Sequence, residues 1–356
     1  MSAASVAEGL AKLSRGENLG SELTASIFRE LMAGQMTPAQ IGALLTGLAQ
    51  KGETVQEIGG AASAMREAAL LVPTARERVI DCCGTGGSGI PRRNVSTAVA
   101  IAVAACGGAV AKHGNRAASS RSGSADVLEA LGVNIEASPE RVGRSIDDLG
   151  VGFLFARALH PAMRHAGPVR RELGFRTIFN LLGPLCNPAR VRRQLMGVFD
   201  PSRLEDIARA LRALGGERAF VVHGFRDGVE PARDAEAGID DLSPEGVSWV
   251  FEMRGDAIIE RRLRPADAGL PEHPLKDLAG GEPEDNARAM TELFEGAQGA
   301  YRTSVQYAGA LALLAASEDE LDSLPAKAEQ IGEALSSGAA KDVLARLVDY
   351  SHGRVP

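Results

Sequence analysis

Residues 84–97 read G-T-G-G-S-G-I-P-R-R-N-V-S-T. Gly84, Gly86, Gly87 and Gly89 allow the backbone to approach a ligand closely and to turn through positive φ, so that successive free N–H groups form a nest for an anion. Asn94, Ser96 and Thr97 lie where a helix should begin, and a helix N-terminus also favours negative charge. A plainer reading is a structural turn with a capped helix. Capping needs only one of the three side chains, whereas Arg92 and Arg93 add two cations beside them. The pattern is not a G-x-G-x-x-G with a following acid, and it lacks the Gly-Lys-Ser/Thr ending of a phosphate loop.

Residues 112–126 read K-H-G-N-R-A-A-S-S-R-S-G-S-A-D. Lys112, His113, Arg116 and Arg121 are interleaved with Ser119, Ser120, Ser122 and Ser124. Cations mixed with hydroxyls suit phosphate and sugar oxygens; the alternative is a solvated loop. A third element, G-I-D-D-L-S at 238–243, places Asp240 and Asp241 side by side. Adjacent carboxylates can hold Mg²⁺ through oxygen and bound water, or simply mark a turn. No nucleophile with an evident base and orienting acid stands out, and no covalent catalytic residue is predicted.

The elements that must position these residues follow from patterning. The first seventy residues read as helical. Thr37-Pro38-Ala39-Gln40 and Thr54-Val55-Gln56-Glu57 are capping boxes, and Gly52 supplies a stop. From Arg78 the pattern changes. Strands are expected at 79–83, 109–111, 151–155 and 220–222, and helices at 96–105 and 123–131. Such alternation predicts βαβ units and a mainly parallel sheet flanked by helices, an α/β class. Ligands of such sheets bind at the carboxyl ends of the strands, where both motif loops emerge. Residues 158–187 interrupt the alternation with helix-like sequence and a loop at Leu182-Gly183-Pro184-Leu185. Residues 225–238 read as a polar surface loop, 247–263 as a hairpin about Arg254-Gly255-Asp256, and the chain closes in helices.

Composition narrows the classes. The 356 residues carry a formal charge of −7, which argues against a nucleic-acid partner. Only 4% are aromatic, so the core rests on small and aliphatic side chains. Cys82, Cys83, Cys106 and Cys186 show no metal-binding spacing and read as free thiols of a reducing compartment. No signal-peptide pattern or membrane-length apolar run is present, which predicts a soluble, cytoplasmic protein.

Taken together, D-C-C-G-T-G-G, N-V-S-T, K-H-G-N-R-A-A-S-S, G-S-A-D-V-L-E-A-L-G, the long stretch H-P-A-M-R-H-A-G-P-V-R-R-E-L-G-F-R-T-I-F-N-L-L-G-P-L-C-N-P-A and G-I-D-D-L-S resemble the anthranilate phosphoribosyltransferases, in that family's order and across nearly the whole chain. The resemblance implies a small helical domain of residues 1–75, completed by about 158–187, and a large α/β domain of 76–157 and 188–356. It implies a homodimer formed through the helical domains. It implies transfer of phosphoribose from phosphoribosyl pyrophosphate to anthranilate in tryptophan synthesis, with Mg²⁺, two ions per active site.

Carried over by motif, the phosphoribosyl pyrophosphate residues are Gly84, Thr85, Gly86, Gly87, Ser88, Asn94, Ser96, Thr97, Lys112, Asn115, Arg116, Ser120 and Ser124. The anthranilate residues are His113, Asn115, Arg170, Gly183 and Pro184, and the metal ligands are Ser96, Asp240 and Asp241. Other acceptors, a nucleoside phosphorylase-like activity and a nucleic-acid-binding relative are the alternatives; the intact glycine loop and the negative charge disfavour the last. Ser88 stands where the family usually has Asp, Arg92 and Arg93 where it is commonly neutral or aromatic, and Asp241 where it has Glu. The expectation is that Arg92 or Arg93 supplies some of the pyrophosphate neutralisation otherwise left to metal.

Overall fold

The computed structural model describes residues 2–117, 121–236 and 238–354. Four helices come first: α1 (Ser2–Leu13), α2 (Ser21–Met32), α3 (Pro38–Lys51) and α4 (Val55–Ala68). Both expected capping boxes form. Gln40 N–H donates to Thr37 Oγ1 at 3.3 Å while Thr37 N–H donates to Gln40 Oε1 at 2.9 Å, and Thr54 and Glu57 repeat the pattern. Such a cap contributes about 1 kcal/mol.

Strands and helices then alternate: β1 (Val79–Gly84), α5 (Val95–Ala105), β2 (Ala109–Gly114), α6 (Ser124–Ala130), α7 (Pro139–Leu149) and β3 (Val151–Phe155). Three short helices interrupt them: α8 (Ala156–Leu159), α9 (Gly167–Leu173) and α10 (Phe179–Leu185). The sheet resumes with β4 (Arg193–Gly197), α11 (Leu204–Ala213) and β5 (Arg218–Gly224), followed by the hairpin β6 (Ser248–Arg254) and β7 (Ala257–Leu263). Helices α12 (Pro283–Phe294), α13 (Ala300–Ala316), α14 (Leu324–Ser336) and α15 (Ala339–His352) close the chain. The strand order is β3-β2-β1-β4-β5-β6-β7. The first five strands run parallel, and the hairpin adds two antiparallel strands at one edge.

Side chains alternate across this sheet and both faces are covered, as a parallel sheet requires. Phe220 and Val222 join one core with α5 and α13, while Ala219 and Val221 join another with α4 and α11. Helix α5 is apolar nearly all round, and Ala98, Val99, Ala102 and Val103 are fully buried; a helix without a polar face belongs inside.

Two expectations need correction, and one strand was not expected. Strand β2 runs three residues beyond Ala111, so Lys112 and His113 are buried strand residues rather than loop residues. Strand β4, central in the sheet, escaped sequence reading because it opens with Arg193 and Gln194. Arg193 is nevertheless buried, bonded to Glu217 and Glu318 and to the carbonyls of Ala315 and Ser317. Residues 182–185, read as a loop, form the last turn of α10. Pro184 lacks an N–H, and the helix stops at once, Cys186 N–H turning back to the Gly183 carbonyl at 3.3 Å.

Candidate functional site

The parallel strands end at one edge, and the glycine loop leaves β1 there. Thr85 N–H donates to the Gly197 carbonyl at 2.9 Å, and Thr85 Oγ1 accepts from Phe199 N–H at 3.0 Å. Gly86 and Gly87 then take φ of 70° and 94°. The acid segment crosses directly over β1 and β4. A Cβ on Gly197 would stand 2.0 Å from the Asp240 carbonyl oxygen, and one on Gly84 would stand 2.5 Å from Asp240 Oδ2. Glycine is therefore required at 197, and at 84 any side chain would displace the Asp240 carboxylate.

Asp240 is held at both carboxylate oxygens. Gly86 N–H donates to Oδ2 at 2.7 Å, and Arg92 Nη2 donates to Oδ1 at 2.6 Å. Asp241 is largely enclosed and accepts Leu242 N–H at 2.9 Å; burial, opposed by Arg92, pushes its carboxyl up to about 6. These elements, with the start of α5 and with residues 115–117 and 121–123, enclose a polar cavity of about 940 Å³. Thr97 Oγ1 is buried there with no hydrogen-bond partner. Asn94 does not cap α5. Its amide donates to the Ser122 carbonyl at 3.5 Å, and its oxygen accepts from Asn286 at 2.9 Å.

A second cavity of about 730 Å³ adjoins the first. The two share Cys83, Gly84, Thr85, His113, Gly114, Asn115 and Asn180. The second is walled by Met65, Met163 and Phe179 and carries Arg170, Gly183 and Pro184. Burial alone pulls the Arg170 guanidinium below its ordinary value, and it lies 5.0 Å from the Phe179 ring centre. His113 Nδ1 faces the Gly183 carbonyl at 3.1 Å, and its ring lies 5.2 Å from that of His160. Burial first, then His160 and Lys112, push His113 down to about 3, so the imidazole is neutral. Burial also pushes His160 down to about 4.

The structure thus gathers at this edge every expected residue that it describes. Arg116 faces the polar cavity, but its guanidinium is engaged by Asp126 and Glu129 on α6, at 3.0 and 2.8 Å. Lys112 is buried beneath the loop, its Nζ donating to the His113 carbonyl at 3.2 Å. Ser120 lies outside the described residues.

Two family descriptions match the chain: a helical bundle domain of glycosyl transferases over residues 7–69, and the glycosyl transferase a/b domain over 76–341. The anthranilate phosphoribosyltransferase of Parvibaculum lavamentivorans is 47% identical over 345 residues, 97% of each chain. This chain belongs to the anthranilate phosphoribosyltransferase family. Another member, from Symbiobacterium thermophilum, is 45% identical and covers 96% of this chain and 97% of its own. The crystal structure of the Thermus thermophilus member superposes with a TM-score of 0.88 at 45% identity, covering 97% of this chain and 99% of its own. The Saccharomyces cerevisiae member, solved in complex with PRPP and Mg, gives 0.87 at 25% identity, covering 98% of both chains.

Within this family frame, sequence reasoning left two residues of the site without a role. Asp81 is fully buried in β1, where it accepts the His113 N–H at 3.0 Å and the Asn187 amide at 2.8 Å; burial pushes its carboxyl up, opposed by the charge of Lys112. One acid inside an apolar strand was its signal. Arg176 donates to the Gly87 carbonyl and lies 4.1 Å from the Phe199 ring centre. Nothing in G-F-R-T distinguishes it from a surface arginine.

Proposed function

We propose that the chain transfers the phosphoribosyl group of phosphoribosyl pyrophosphate to anthranilate, releasing N-(5-phosphoribosyl)anthranilate and pyrophosphate in tryptophan biosynthesis. The observation that carries this reading is the pair of adjoining cavities joined at His113 and Asn115. One is polar and lined by backbone N–H groups and cations; the other is less polar and holds a half-buried arginine without an acid acting on it. The first suits an activated phosphosugar and the second an aromatic carboxylate.

The polar cavity holds phosphoribosyl pyrophosphate through Gly84, Thr85, Gly86, Gly87 and Ser88, through Asn94, Ser96 and Thr97 at the start of α5, and through Lys112, Asn115, Arg116 and Ser124 with Ser120. Arg116 must leave Asp126 and Glu129 to do so. Loop N–H groups stabilise the charge that grows on departing pyrophosphate as the anomeric carbon becomes oxocarbenium-like. Arg170 pairs with the anthranilate carboxylate, and His113, Asn115 and the Gly183-Pro184 turn flank the ring, so that the amine meets the anomeric carbon from the opposite face. Positioning and electrostatics carry the catalysis; no covalent nucleophile takes part.

Mg²⁺ is the cofactor, and the donor set fits it. Ser96, Asp240 and Asp241 offer hard oxygens, and burial leaves Asp241 in need of a cation. Among the described residues no three His, Cys, Asp or Glu side chains are placed to hold a metal ion together, so substrate phosphate oxygens would complete the coordination, as Mg²⁺ commonly requires. When bound, the ion neutralises pyrophosphate charge. Two ions per site is part of this proposal.

The proposal extends to organisation. Residues 1–75 with about 158–187 act as the helical domain, and 76–157 with 188–356 as the α/β domain. Two copies pair through the helical domains, in the cytoplasm. No described helix is long and apolar enough to cross a membrane. A coupled pyrophosphate assay tests the reaction: one pyrophosphate should appear per anthranilate consumed, whereas release without acceptor would mark a hydrolase instead.

A further inference from the structure

Arg92 enters the polar cavity on a fixed backbone. Residue 92 bridges Ala279, Arg93 N–H donates to the Leu278 carbonyl at 3.1 Å, and Gly280 N–H donates to the Pro91 carbonyl at 3.2 Å. A Cβ on Gly280 would stand 2.4 Å from the Arg92 carbonyl, so this clamp closes only on glycine. From it the side chain turns inward, 2.6 Å from Asp240 Oδ1 and 3.5 Å from Ser88 Oγ. The pair is largely sealed, with side-chain exposures of 13% for Arg92 and 8% for Asp240. Arg92 Nε is buried with no partner. Arg93 faces away: its guanidinium lies over the Tyr301 ring at 5.4 Å, and its Nε reaches the Ala279 carbonyl at 3.4 Å.

Both oxygens of Asp240 are therefore occupied before any ligand enters, one by Gly86 N–H and one by a permanently charged guanidinium. A divalent cation gains full use of that carboxylate only as Arg92 leaves it. A guanidinium displaced there faces the incoming anion with planar donors and an unused Nε, a geometry that suits phosphate oxygens. Ser88 is neutral, so the glycine loop supplies no second carboxylate to retain Arg92.

Resting on the reading of this cavity as the pyrophosphate cradle, we propose that Arg92 is an intrinsic counter-cation of the site. It neutralises Asp240 in the free protein, competes there with divalent metal, and transfers its charge to pyrophosphate on ligand entry. The chain then binds a diphosphate with less dependence on metal than two bare carboxylates would allow.

Two binding measurements on the full chain test this. Calorimetry with inorganic pyrophosphate is run in EDTA and in Mg²⁺, and Mn²⁺ binding to the protein alone is followed by electron paramagnetic resonance. Arg92→Ala should weaken pyrophosphate binding in EDTA about tenfold or more, the scale of a lost charge-assisted bond, and less in Mg²⁺. The same variant should tighten Mn²⁺ binding about threefold or more, because Asp240 is no longer claimed. Arg92→Gln, which keeps the stem, should give the same two signs if the alanine variant folds poorly, and Arg92→Lys should retain most of the wild-type behaviour. Opposed shifts are the signature, since a residue that merely braced the loop would weaken both ligands. Parallel weakening, or no change in either, overturns the proposal while leaving the site reading intact. Failure of the wild-type chain to bind pyrophosphate in either buffer overturns both.

Discussion

His113 donates its Nδ1–H to the carbonyl oxygen of Gly183, 3.1 Å away. A carbonyl can only accept, so this bond fixes the tautomer and leaves Nε2 unprotonated. That nitrogen is buried without a partner on the wall between the two cavities. With its proton affinity pushed down to about 3 by burial, the ring is a weak base, suited to accepting one N–H bond from an amine. His113→Ala should raise KM for anthranilate about three- to tenfold, the scale of one hydrogen bond. Steady-state kinetics with each substrate varied in turn measures this; an equal rise in KM for phosphoribosyl pyrophosphate contradicts the assigned role.

Arg170 should matter more. It is half-buried, with no acid acting on it, so an anionic acceptor gains a charge-assisted pair. Arg170→Ala is expected to raise KM for anthranilate roughly 10- to 100-fold and that of phosphoribosyl pyrophosphate far less. Benzoates lacking the amine should inhibit the wild-type enzyme competitively against anthranilate and the variant only weakly.

Thr97 separates binding from folding. Its hydroxyl is buried and unbonded without ligand, a state that costs about 1–3 kcal/mol. Thr97→Val, which removes the hydroxyl and keeps the shape, should leave Tm unchanged or raise it, yet raise KM for phosphoribosyl pyrophosphate about three- to tenfold. A drop in Tm with unchanged KM assigns Thr97 to the scaffold.

Acid should destabilise the fold through the paired imidazoles. His113 and His160 fall from 6.5 to about 3 and about 4 in the folded chain. The unfolded chain therefore takes up their protons first. The stability they contribute is complete above about pH 6.5 and is lost as pH falls towards the folded values. Between about pH 7 and about pH 5 each contributes a loss of about 2 kcal/mol. Asp81 and Asp241, both shifted upward by burial, oppose part of it. Denaturant unfolding should show a shallower pH dependence in His160→Asn than in wild type; an unchanged slope contradicts the burial argument.

Local chemistry made much of this molecule legible in its sequence. Thr37 and Thr54 announce their helices because a cap is a short-range device, and the glycine, cation and acid motifs all arrive at one sheet edge because parallel strands end there. Strand β4 was hidden because Arg193 and Gln194 are satisfied by Glu217, Glu318 and the Pro184 carbonyl, partners that sequence alone does not bring together. Asp81 and Arg176 were missed for the same reason, and only folding decides that Arg92, not Arg93, faces Asp240.

The central claim, transfer of phosphoribose to anthranilate, is met most directly by a turnover assay. Purified chain, phosphoribosyl pyrophosphate, anthranilate and Mg²⁺ are mixed, and anthranilate fluorescence is followed. The predicted result is a catalytic fall in fluorescence that needs all three additions and is slowed at low anthranilate by Arg170→Ala. Steady fluorescence with wild-type chain, together with clean binding of a different aromatic acid, would contradict it.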